Sequence, residues 1–281
     1  MSRGLGDVYK RQEGGGRMAC FTTLYSGSSG NCAFLEEDGR FLLVDLGKSA
    51  RATTRALGQL GAQAKQLCGV LVTHEHTDHI AGLAVFLKKA PVPVYGTQAT
   101  LEALARRGLV PPGTQLVPTD GRGELQVGGF CVQSFSTSHD SADCCGFRVR
   151  TPQGKTLAIA TDLGYVSDEV LANLYLADMV ALEANYDLHM LMHGPYPYYL
   201  KTRIASKKGH LCNEECAATL AKLMAAGCKR FSLCHISQEN NAPALALQSV
   251  QAALLQSGTA PAPDAVVQAA RRHEVSPVFE F

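Results

Sequence analysis

From Ala19 to the C-terminus, short apolar runs alternate with stretches of helical periodicity, and turn-forming groups such as PPG at residues 111–113 separate them. Short apolar runs are typical of buried strands, and periodic stretches are typical of helices that bury one face. The apolar runs predict β-strands at Cys20–Tyr25, Ala33–Glu36, Phe41–Asp45, Gly69–Thr73, Pro93–Gly96, Gly129–Ser136, Cys145–Thr151, Thr156–Thr161, Met179–Glu183, Arg230–Cys234 and Val275–Phe281. The periodic stretches predict helices at Lys48–Leu60, His79–Lys89, Thr97–Arg107, Asp168–Leu176, Asn213–Ala226 and Ala242–Gln256. Mixed strands and helices without a break in composition favour one α/β domain with helices packed on sheet faces.

The composition is that of an ordinary globular protein, with 281 residues, 46% of them hydrophobic, and a formal net charge of +1. A net charge near zero gives no overall field toward nucleic acid or membranes, so any electrostatic attraction must be local. No apolar run approaches the roughly 20 residues that cross a bilayer, and we find no apolar core of a secretory signal. The ten cysteines form no CxxC pair, and several lie in apolar runs, where a reduced thiol packs as a small hydrophobe. We therefore expect a cytoplasmic protein.

Residues 1–17 differ in character from the rest of the chain. The segment Asp7–Gln12 reads DVYKRQ, which one reading frame of a common sequencing-library transposon end would encode. We therefore interpret residues 1–17 as a non-native leader, expect them to be disordered, and place the natural start at Met18. The domain would then cover residues 18–281.

The segment Thr73–His79 reads THEHTDH and concentrates imidazole and carboxylate groups directly after an apolar run. Side chains two positions apart on an extended segment point to the same side, so His74 and His76 can bind one ion. Asp78 and His79 lie where the chain enters a predicted helix, and they can face a second ion. Nitrogen and oxygen donors of this kind suit borderline divalent metals. The segment therefore predicts a metal site.

Four further motifs end predicted strands or follow them closely. An Asp ends the run FLLVD, a His follows the strand that stops at Ser136, an Asp ends AIATD, and a His ends SLCH. These residues are Asp45, His139, Asp162 and His235. Together with the His-rich segment, they resemble the ordered motifs of the metallo-β-lactamase superfamily. The resemblance implies an αβ/βα four-layer sandwich of two mixed sheets flanked by helices.

Shorter motifs narrow the resemblance. They are Ser26–Asn31 (SGSSGN), Glu183–Asp187 (EANYD), Gly194–Pro197 (GPYP), Gly209–Asn213 (GHLCN) and His235–Asn241 (HISQENN). These segments are similar to those of the YycJ (WalJ) family of bacterial nucleases. That family is associated with 5′-to-3′ exonuclease activity on duplex DNA and with two bound divalent metals.

The resemblance implies two metal sites that share one carboxylate. The first ion would bind His74, His76 and His139, the second would bind Asp78, His79 and His235, and Asp162 would bridge the two. Asp45 would hold the His-rich loop by hydrogen bonds without binding metal. Two ions roughly 3.5–4 Å apart with a shared anionic ligand can activate a bridging hydroxide as the nucleophile near neutral pH. Such a donor set accepts Zn²⁺, Mn²⁺ or Fe²⁺, so the residues leave the choice of metal open.

Glu183 and His210 resemble the Glu/His pair of tRNA 3′-processing enzymes in the same superfamily. In those enzymes the Glu orients a His that contacts the scissile phosphate and can protonate the leaving oxygen. We therefore predict catalytic roles for His210, Glu183 and, as a metal ligand, Asp78. A packed core histidine is the alternative for His210.

Basic residues cluster between Asp187 and Glu214, in a stretch without acids that also contains tyrosines. Such a stretch suits phosphate contacts and base stacking. We predict backbone phosphate contacts for Lys201, Arg203, Lys207 and Lys208, and the alternative is a solvated helix face. A glycine-rich turn after the first strand offers backbone N–H groups to an anion. We predict phosphate contacts there for Ser28, Ser29 and Asn31, and the alternative is a plain tight turn.

These features predict a two-metal phosphodiesterase, and the resemblance to the YycJ family implies a 5′-to-3′ exonuclease on duplex DNA. Its partner would be DNA, bound through the phosphate backbone, and not a membrane. The alternatives are a cyclic phosphodiesterase for small phosphorylated metabolites, a tRNA 3′-processing-like endoribonuclease, and a metal-stabilised nucleic-acid-binding module without turnover. The basic stretch argues against thioester hydrolases, lactonases and lactamases. The residues themselves leave open the oligomeric state, the choice between DNA and RNA, and the strand polarity.

Overall fold

The computed structural model describes residues 18–281, so the leader predicted at residues 1–17 lies outside the described residues. Two seven-stranded sheets form the centre of the fold. Three apolar clusters define its layers. One packs the first sheet against helices of the N-terminal half, the second lies between the sheets, and the third packs the second sheet against helices of the C-terminal half. This arrangement confirms the predicted αβ/βα four-layer sandwich.

The first sheet joins the N-terminal strands to a short strand at the C-terminus. It contains β1 (Cys20–Tyr25), β2 (Cys32–Glu37), β3 (Arg40–Val44), β4 (Leu67–Leu71), β5 (Val94–Thr97), β6 (Leu116–Thr119) and β14 (Phe279–Glu280). Its spatial order is β14-β1-β2-β3-β4-β5-β6. Strands β1 to β3 pair antiparallel, and β3 to β6 run parallel. The carboxyl ends of β3 and β4 therefore meet at one edge, where Asp45 and the segment Thr73–His79 follow them.

The second sheet follows the chain in order. It contains β7 (Leu125–Val127), β8 (Phe130–Ser136), β9 (Cys145–Arg150), β10 (Thr156–Ala160), β11 (Met179–Glu183), β12 (Arg230–Cys234) and β13 (Val266–Ala269). Strands β7 to β10 pair antiparallel, and β10 to β13 run parallel. The carboxyl ends of β10, β11 and β12 carry Asp162, Glu183 and His235, so this sheet also concentrates polar residues at one edge.

Helices cover the outer face of each sheet. Within residues 18–281 they are α1 (Ala50–Gln59), α2 (Thr77–Ile80), α3 (Leu83–Lys89), α4 (Gln98–Arg106), α5 (Asp168–Leu174), α6 (Leu188–His193), α7 (Tyr198–Ile204), α8 (Asn213–Ala225) and α9 (Pro243–Ser257). Side chains of Ser49, Thr97, Ser167 and Asp187 accept hydrogen bonds from the first turns of α1, α4, α5 and α6, which satisfies N–H groups that a helix leaves free. None of the described helices is both long enough and apolar enough to span a membrane.

Several elements differ from the sequence predictions. Strands β6, β7 and β13 were not predicted, because all three lie at sheet edges where exposed residues dilute the apolar pattern. Helix α7 has no buried residue, so no apolar stripe marks it in the sequence. The last strand, predicted at Val275–Phe281, shortens to β14. Residues before β14 are not part of a strand, although the Ser276 backbone N–H still donates to the Thr23 carbonyl of β1.

The helix predicted at His79–Lys89 is divided between α2 and α3 around Gly82. The backbone at Gly82 approaches the loop after β3 so closely that a β-carbon there would lie 1.9 Å from the Lys48 carbonyl oxygen. This close approach presses the His-rich segment against the loop that contains Asp45.

Candidate metal centre

The predicted metal ligands meet at one rim of the sandwich, where the strand ends of both sheets converge. Their donor atoms form overlapping groups, and within each group the atoms lie within 4.8 Å of one another. The groups are His74 with His76 and His139, Asp78 with His79 and His235, His74 with His79 and Asp162, and Asp162 with Glu183, His210 and His235. The fold therefore brings together all the residues that sequence analysis assigned to the two metals.

Asp162 lies between the two groups of three ligands. Its Oδ2 is 3.2 Å from His79 Nε2, and its Oδ1 is 3.3 Å from His235 Nδ1 and 3.8 Å from His139 Nε2. A carboxylate in this position can contact ions in both groups. The geometry is therefore compatible with the bridging role predicted for Asp162.

Three buried donor atoms of the centre have no hydrogen-bond partner within residues 18–281: His74 Nε2, His235 Nε2 and Asp162 Oδ2. Leaving a buried polar group without a partner costs roughly 1–3 kcal/mol. All three atoms belong to predicted ligands, and imidazole nitrogen with carboxylate oxygen is a donor set that suits borderline divalent metals. The residues present therefore fit a centre of two divalent ions.

Three residues of the site have left-handed backbone conformations, with φ of 63° at Asp45, 57° at Asp162 and 53° at His235. Asp45 and His235 directly follow β3 and β12, and Asp162 comes two residues after β10. A non-glycine residue in this region costs roughly 1–2 kcal/mol, so the surrounding structure must hold it there. This backbone conformation turns the chain sharply at the end of each strand, so that each side chain points toward the other ligands at the rim.

Asp45 anchors the His-rich segment from the first sheet. Its Oδ1 accepts a hydrogen bond from the Thr73 N–H at 2.9 Å, and its Oδ2 lies 2.7 Å from His79 Nδ1 and accepts from Thr73 Oγ1 at 2.9 Å. A carboxylate on Nδ1 sets the ring orientation and leaves Nε2 for metal. Thr73 Oγ1 also lies 3.0 Å from His74 Nδ1. Sequence analysis did not single out Thr73, although it stands next to the cluster.

Glu183 has the corresponding position in the second sheet. It is fully buried, and its Oε1 lies 2.8 Å from His210 Nδ1 and 2.9 Å from His235 Nδ1. Its Oε2 accepts from the backbone N–H groups of Leu163 at 3.0 Å and Leu211 at 3.3 Å. One carboxylate therefore orients a predicted metal ligand and the predicted catalytic histidine together. Sequence analysis paired Glu183 with His210 but missed its contact with His235.

The segment that contains α7 is tied to the centre through backbone groups. The Gly209 carbonyl accepts a hydrogen bond from His139 Nδ1 at 2.9 Å, which leaves His139 Nε2 toward the cluster. The His210 N–H donates to the Ile204 carbonyl at the end of α7 at 2.9 Å. The position of His210 is therefore coupled to this helix and to a metal ligand.

The carboxylates and imidazoles of the centre shift each other's ionisation. Burial alone would lower the pKa of His235, but Asp162, Asp78 and Glu183 outweigh burial and raise that pKa to about 10. Burial likewise opposes the charge on His79, and Asp162 and other carboxylates nevertheless raise its pKa. Burial would raise the pKa of Asp162, but the nearby histidines hold it well below its usual range. In the metal-free centre, protons on His79 and His235 therefore occupy positions that cations would take.

The glycine-rich turn divides into two kinds of residue. Asn31 is buried, and its Oδ1 accepts from the Gly27 N–H at 2.8 Å while its Nδ2 lies 3.3 Å from Asp78 Oδ2. Its side chain is thus occupied in holding the Asp78 loop, which was not the contact predicted for it. Ser28 and Ser29 are exposed at the tip of the turn, where an anion can reach them.

The four basic residues near α7 that were predicted to contact phosphate also differ in their surroundings. Lys201 Nζ donates to the Met192 carbonyl at 2.7 Å, and Lys207 Nζ lies 5.9 Å from the centre of the Tyr165 ring. Arg203 forms an ion pair with Asp140, whose other oxygen is 3.3 Å from His139 Nε2. Sequence analysis missed Asp140 because this acid comes from outside the basic stretch. Lys208 is exposed and forms no ion pair within residues 18–281.

Comparison with known proteins places this geometry in a family. Residues 40–236 match the family model described as the beta-lactamase superfamily domain. The chain belongs to the metallo-β-lactamase superfamily. Exodeoxyribonuclease YycJ of Bacillus anthracis is 37% identical over 239 residues, which cover 85% of this chain and 90% of that relative. Exodeoxyribonuclease WalJ of Streptococcus pneumoniae serotype 2 is 34% identical over 229 residues, which cover 80% of this chain and 84% of that relative. These similarities confirm the family resemblance that the sequence motifs indicated.

A solved structure supports the fold independently. The metallo-β-lactamase fold protein YhfI from Bacillus subtilis superposes with a TM-score of 0.69 at 19% identity, covering 92% of this chain and 99% of that one. Family membership together with the His and Asp clusters makes this chain a metal-dependent hydrolase. The clusters are consistent with a binuclear metal site.

Proposed function

We propose that this hydrolase is a two-metal exonuclease that degrades duplex DNA in the 5′-to-3′ direction. The observation that carries the proposal is the hydrogen bond between His210 and Glu183 beside the metal ligands, with 2.8 Å between Nδ1 and Oε1. The similarity to YycJ and WalJ, both named exodeoxyribonucleases, supports DNA as the substrate. The nine cysteines from Cys32 to Cys234 are free thiols, most of them buried, which supports a reducing compartment such as the cytoplasm.

Two divalent ions, Zn²⁺, Mn²⁺ or Fe²⁺, would supply Lewis acidity and a water of lowered pKa when bound. His74, His76 and His139 would hold one ion, Asp78, His79 and His235 would hold the other, and Asp162 would contact both. Asp45 and Glu183 would keep the rings of His79 and His235 in the orientation that leaves Nε2 free for metal.

His210 would assist the oxygen that leaves phosphorus. Its ring is partly exposed, whereas Glu183 beneath it is fully buried. The carboxylate holds Nδ1 and fixes the ring orientation, so Nε2 would face the leaving oxygen as the proton donor. Lys207 and Lys208 lie just before His210 in the chain and would contact the DNA backbone from the same side.

The decisive experiment compares substrates of different chemistry. The metal-loaded protein is incubated with end-labelled single- and double-stranded DNA, with RNA of the same sequence, and with a small cyclic phosphodiester. We expect progressive shortening of duplex DNA from the 5′ end, and binding that weakens steeply as salt rises because phosphate contacts release counterions. Asp78→Ala should abolish turnover while keeping the fold and much of the DNA affinity. Asp264→Ala is the matched control, because this exposed carboxylate pairs with Lys229.

Each of the other outcomes identifies another function. Digestion of the cyclic compound alone would identify a cyclic phosphodiesterase, and cleavage restricted to RNA 3′ ends would identify a tRNA-processing type of enzyme. DNA binding without turnover by the metal-loaded wild type would identify a binding module. A DNA affinity that does not change with salt would contradict the backbone phosphate contacts.

A further inference from the structure

Two basic side chains that lie outside the predicted site pack against the glycine-rich turn Ser26–Asn31. A β-carbon at Gly27 would lie 2.6 Å from Arg272 Nη1, and a β-carbon at Gly30 would lie 2.8 Å from Lys48 Cδ. Both glycines have positive φ, 139° and 142°, which side chains rarely tolerate. The turn is therefore shaped to let the Arg272 guanidinium approach Gly27 and the aliphatic stem of Lys48 approach Gly30. We call this arrangement the cationic turn: Lys48, Arg272 and residues 26–31.

Neither cation forms an ion pair within residues 18–281: burial lowers the pKa of Arg272, and Glu239 opposes that shift without reaching ion-pair distance. The Lys and Arg ion pairs within residues 18–281 involve other side chains. Burial and the neighbouring Arg272 charge lower the pKa of Lys48. Arg272 Nη2 donates to the Ile236 carbonyl, but its Nη1 is buried and has no acceptor among the described residues 18–281. Two cations placed side by side with an unsatisfied nitrogen destabilise the fold unless an anion joins them.

The turn itself offers donors to such an anion. The Gly30 N–H closes the turn on the Gly27 carbonyl at 2.8 Å, and the Gly27 N–H donates to the Asn31 side chain. The N–H groups of Ser28 and Ser29 have no acceptor in the described part of the chain, and both residues are exposed. Successive free N–H groups in a tight turn form a concavity that binds phosphate oxygens.

The cationic turn adjoins the metal centre directly. The Asn31 N–H donates to the Asp78 carbonyl at 2.7 Å, and Asn31 Nδ2 lies 3.0 Å from His79 Nε2. On its other side, Ser26 Oγ accepts from the His235 N–H at 2.8 Å. An anion held by the turn would thus lie next to the ligands of one predicted metal.

We propose that Lys48, Arg272 and the N–H groups of Ser28 and Ser29 form a second phosphate subsite, distinct from the centre that cleaves. This inference rests on the proposed function, since its ligand is the DNA phosphate next to the one being cleaved. The phosphate has two sources, either the 5′-terminal monoester of a DNA end or an internal diester of the backbone. Arg272 and Lys48 contribute positive charge beneath the turn, and the exposed N–H groups of Ser28 and Ser29 donate to the phosphate.

The test uses the full chain loaded with Mn²⁺ and duplexes that carry either a 5′-phosphate or a 5′-hydroxyl. The variants are Lys48→Gln, Arg272→Gln and Arg272→Lys. The matched control is Arg106→Gln, an exposed residue of α4 that pairs with Glu102. Digestion separates KM from kcat, and binding is followed by anisotropy with duplexes whose phosphorothioate linkages resist cleavage.

We expect Lys48→Gln and Arg272→Gln each to raise KM by roughly tenfold to a hundredfold with little change in kcat, the range for hydrogen bonds to charged groups. Each should also lower the slope of log affinity against log salt by about one. Arg272→Lys should restore part of the loss. A loss confined to 5′-phosphorylated duplexes identifies the terminal monoester as the ligand, and an equal loss on both duplexes identifies an internal diester.

If Lys48→Gln and Arg272→Gln have the same KM and salt slope as Arg106→Gln, the proposed subsite is wrong. The two cations would then be structural residues. Arg272→Gln fails to fold if loss of the contact with Ile236 is too costly. In that case Lys48→Gln tests the subsite, because the Lys48 amine donates no hydrogen bond within residues 18–281 and its loss should leave the fold intact. A wild type that binds duplexes without digesting them would contradict the exonuclease, and the salt slopes of the variants would still decide the subsite. A wild type that binds no duplex would overturn both.

Discussion

Asp45 and Glu183 are buried carboxylates at the metal rim, one from each sheet, and they orient histidines in different ways. Within residues 18–281, the Asp45 carboxylate bonds only to Thr73 and His79, which belong to one short segment. Glu183 bonds to groups from three separate parts of the chain, at Leu163, at residues 210–211 and at His235. The first sheet thus supports a local, self-contained set of ligands. The second sheet makes metal binding and leaving-group chemistry depend on a single side chain.

The largest effect should come from Glu183→Gln, compared with Asp45→Asn. The amide keeps the size but cannot hold two imidazole N–H groups with a negative charge. We expect Glu183→Gln to lower kcat by roughly 10³-fold or more, since it removes an oriented proton donor worth roughly 10²–10⁴ and weakens a metal ligand roughly 10–100-fold. Asp45→Asn should lower metal affinity by roughly 10–100-fold, and its kcat should recover at saturating metal. Steady-state kinetics over a metal titration measure both.

Thermal unfolding of both variants shows whether the fold is retained, since each carboxylate is buried. Equal recovery of kcat in the two variants at high metal would contradict the comparison. It would mean that Glu183 acts only through His235 and that His210 does not need it.

The next largest effect should come from His210→Ala, which separates the two tasks of Glu183. We expect kcat to fall by roughly 10²–10³-fold while the metal content of the protein stays at that of the wild type. The loss should shrink for a nitrophenyl ester of a nucleotide, because nitrophenolate leaves without protonation. Kinetics on both substrates and elemental analysis test this. Loss of a metal ion would instead make His210 a ligand.

The same difference between the sheets decides how much of the site the sequence could predict. The ligands His74 to His79 stand together, so their spacing alone indicated a metal site. Asp162 and His235 were assigned through the family resemblance, because isolated residues at strand ends carry no local signal. The Glu183–His235 bond and the Arg203–Asp140 pair were missed, since they join residues that meet only in the folded chain.

The fold shows a similar division. Central strands such as β10 and β11 are buried along their whole length, and their apolar runs were predicted to within a residue or so. The edge strands β6, β7 and β13 were missed, because a strand with one free edge needs few apolar residues. Helix α7 was missed for the same physical reason, as it packs no buried residue.

A smaller, pH-dependent effect should appear when the metal is removed. In the metal-free centre the carboxylates raise the pKa of His235 to about 10. The stability from its proton is therefore fully present below the unfolded pKa of roughly 6.5 and is lost as pH rises through the folded value. We expect the Tm of chelator-treated protein to fall by several degrees between pH 7 and pH 10, at roughly 2–4 °C per kcal/mol in a domain of this size.

The metal-loaded protein is the control, because its ligands carry no such protons and its Tm should change less over that range. Apparent metal affinity should rise with pH as the proton competes less. Calorimetry with and without chelator measures the first effect, and metal titration at several pH values measures the second. A metal-free Tm that rises from pH 7 to pH 10 would contradict this description of the centre.

The smallest effect separates two basic residues near α7 that the sequence treated as equivalent. Arg203 already pairs with Asp140, with 2.5 Å between Nη2 and Oδ2, whereas Lys208 is exposed and unpaired within residues 18–281. A phosphate must therefore compete with Asp140 for Arg203 but not for Lys208. We expect Lys208→Gln to weaken DNA binding severalfold and to lower the salt slope by about one, and Arg203→Gln to change both by less. Asp140→Asn should strengthen binding, because it frees Arg203. Anisotropy titrations at several salt concentrations measure all three, and a larger loss for Arg203→Gln would show that Arg203 leaves Asp140 when DNA binds.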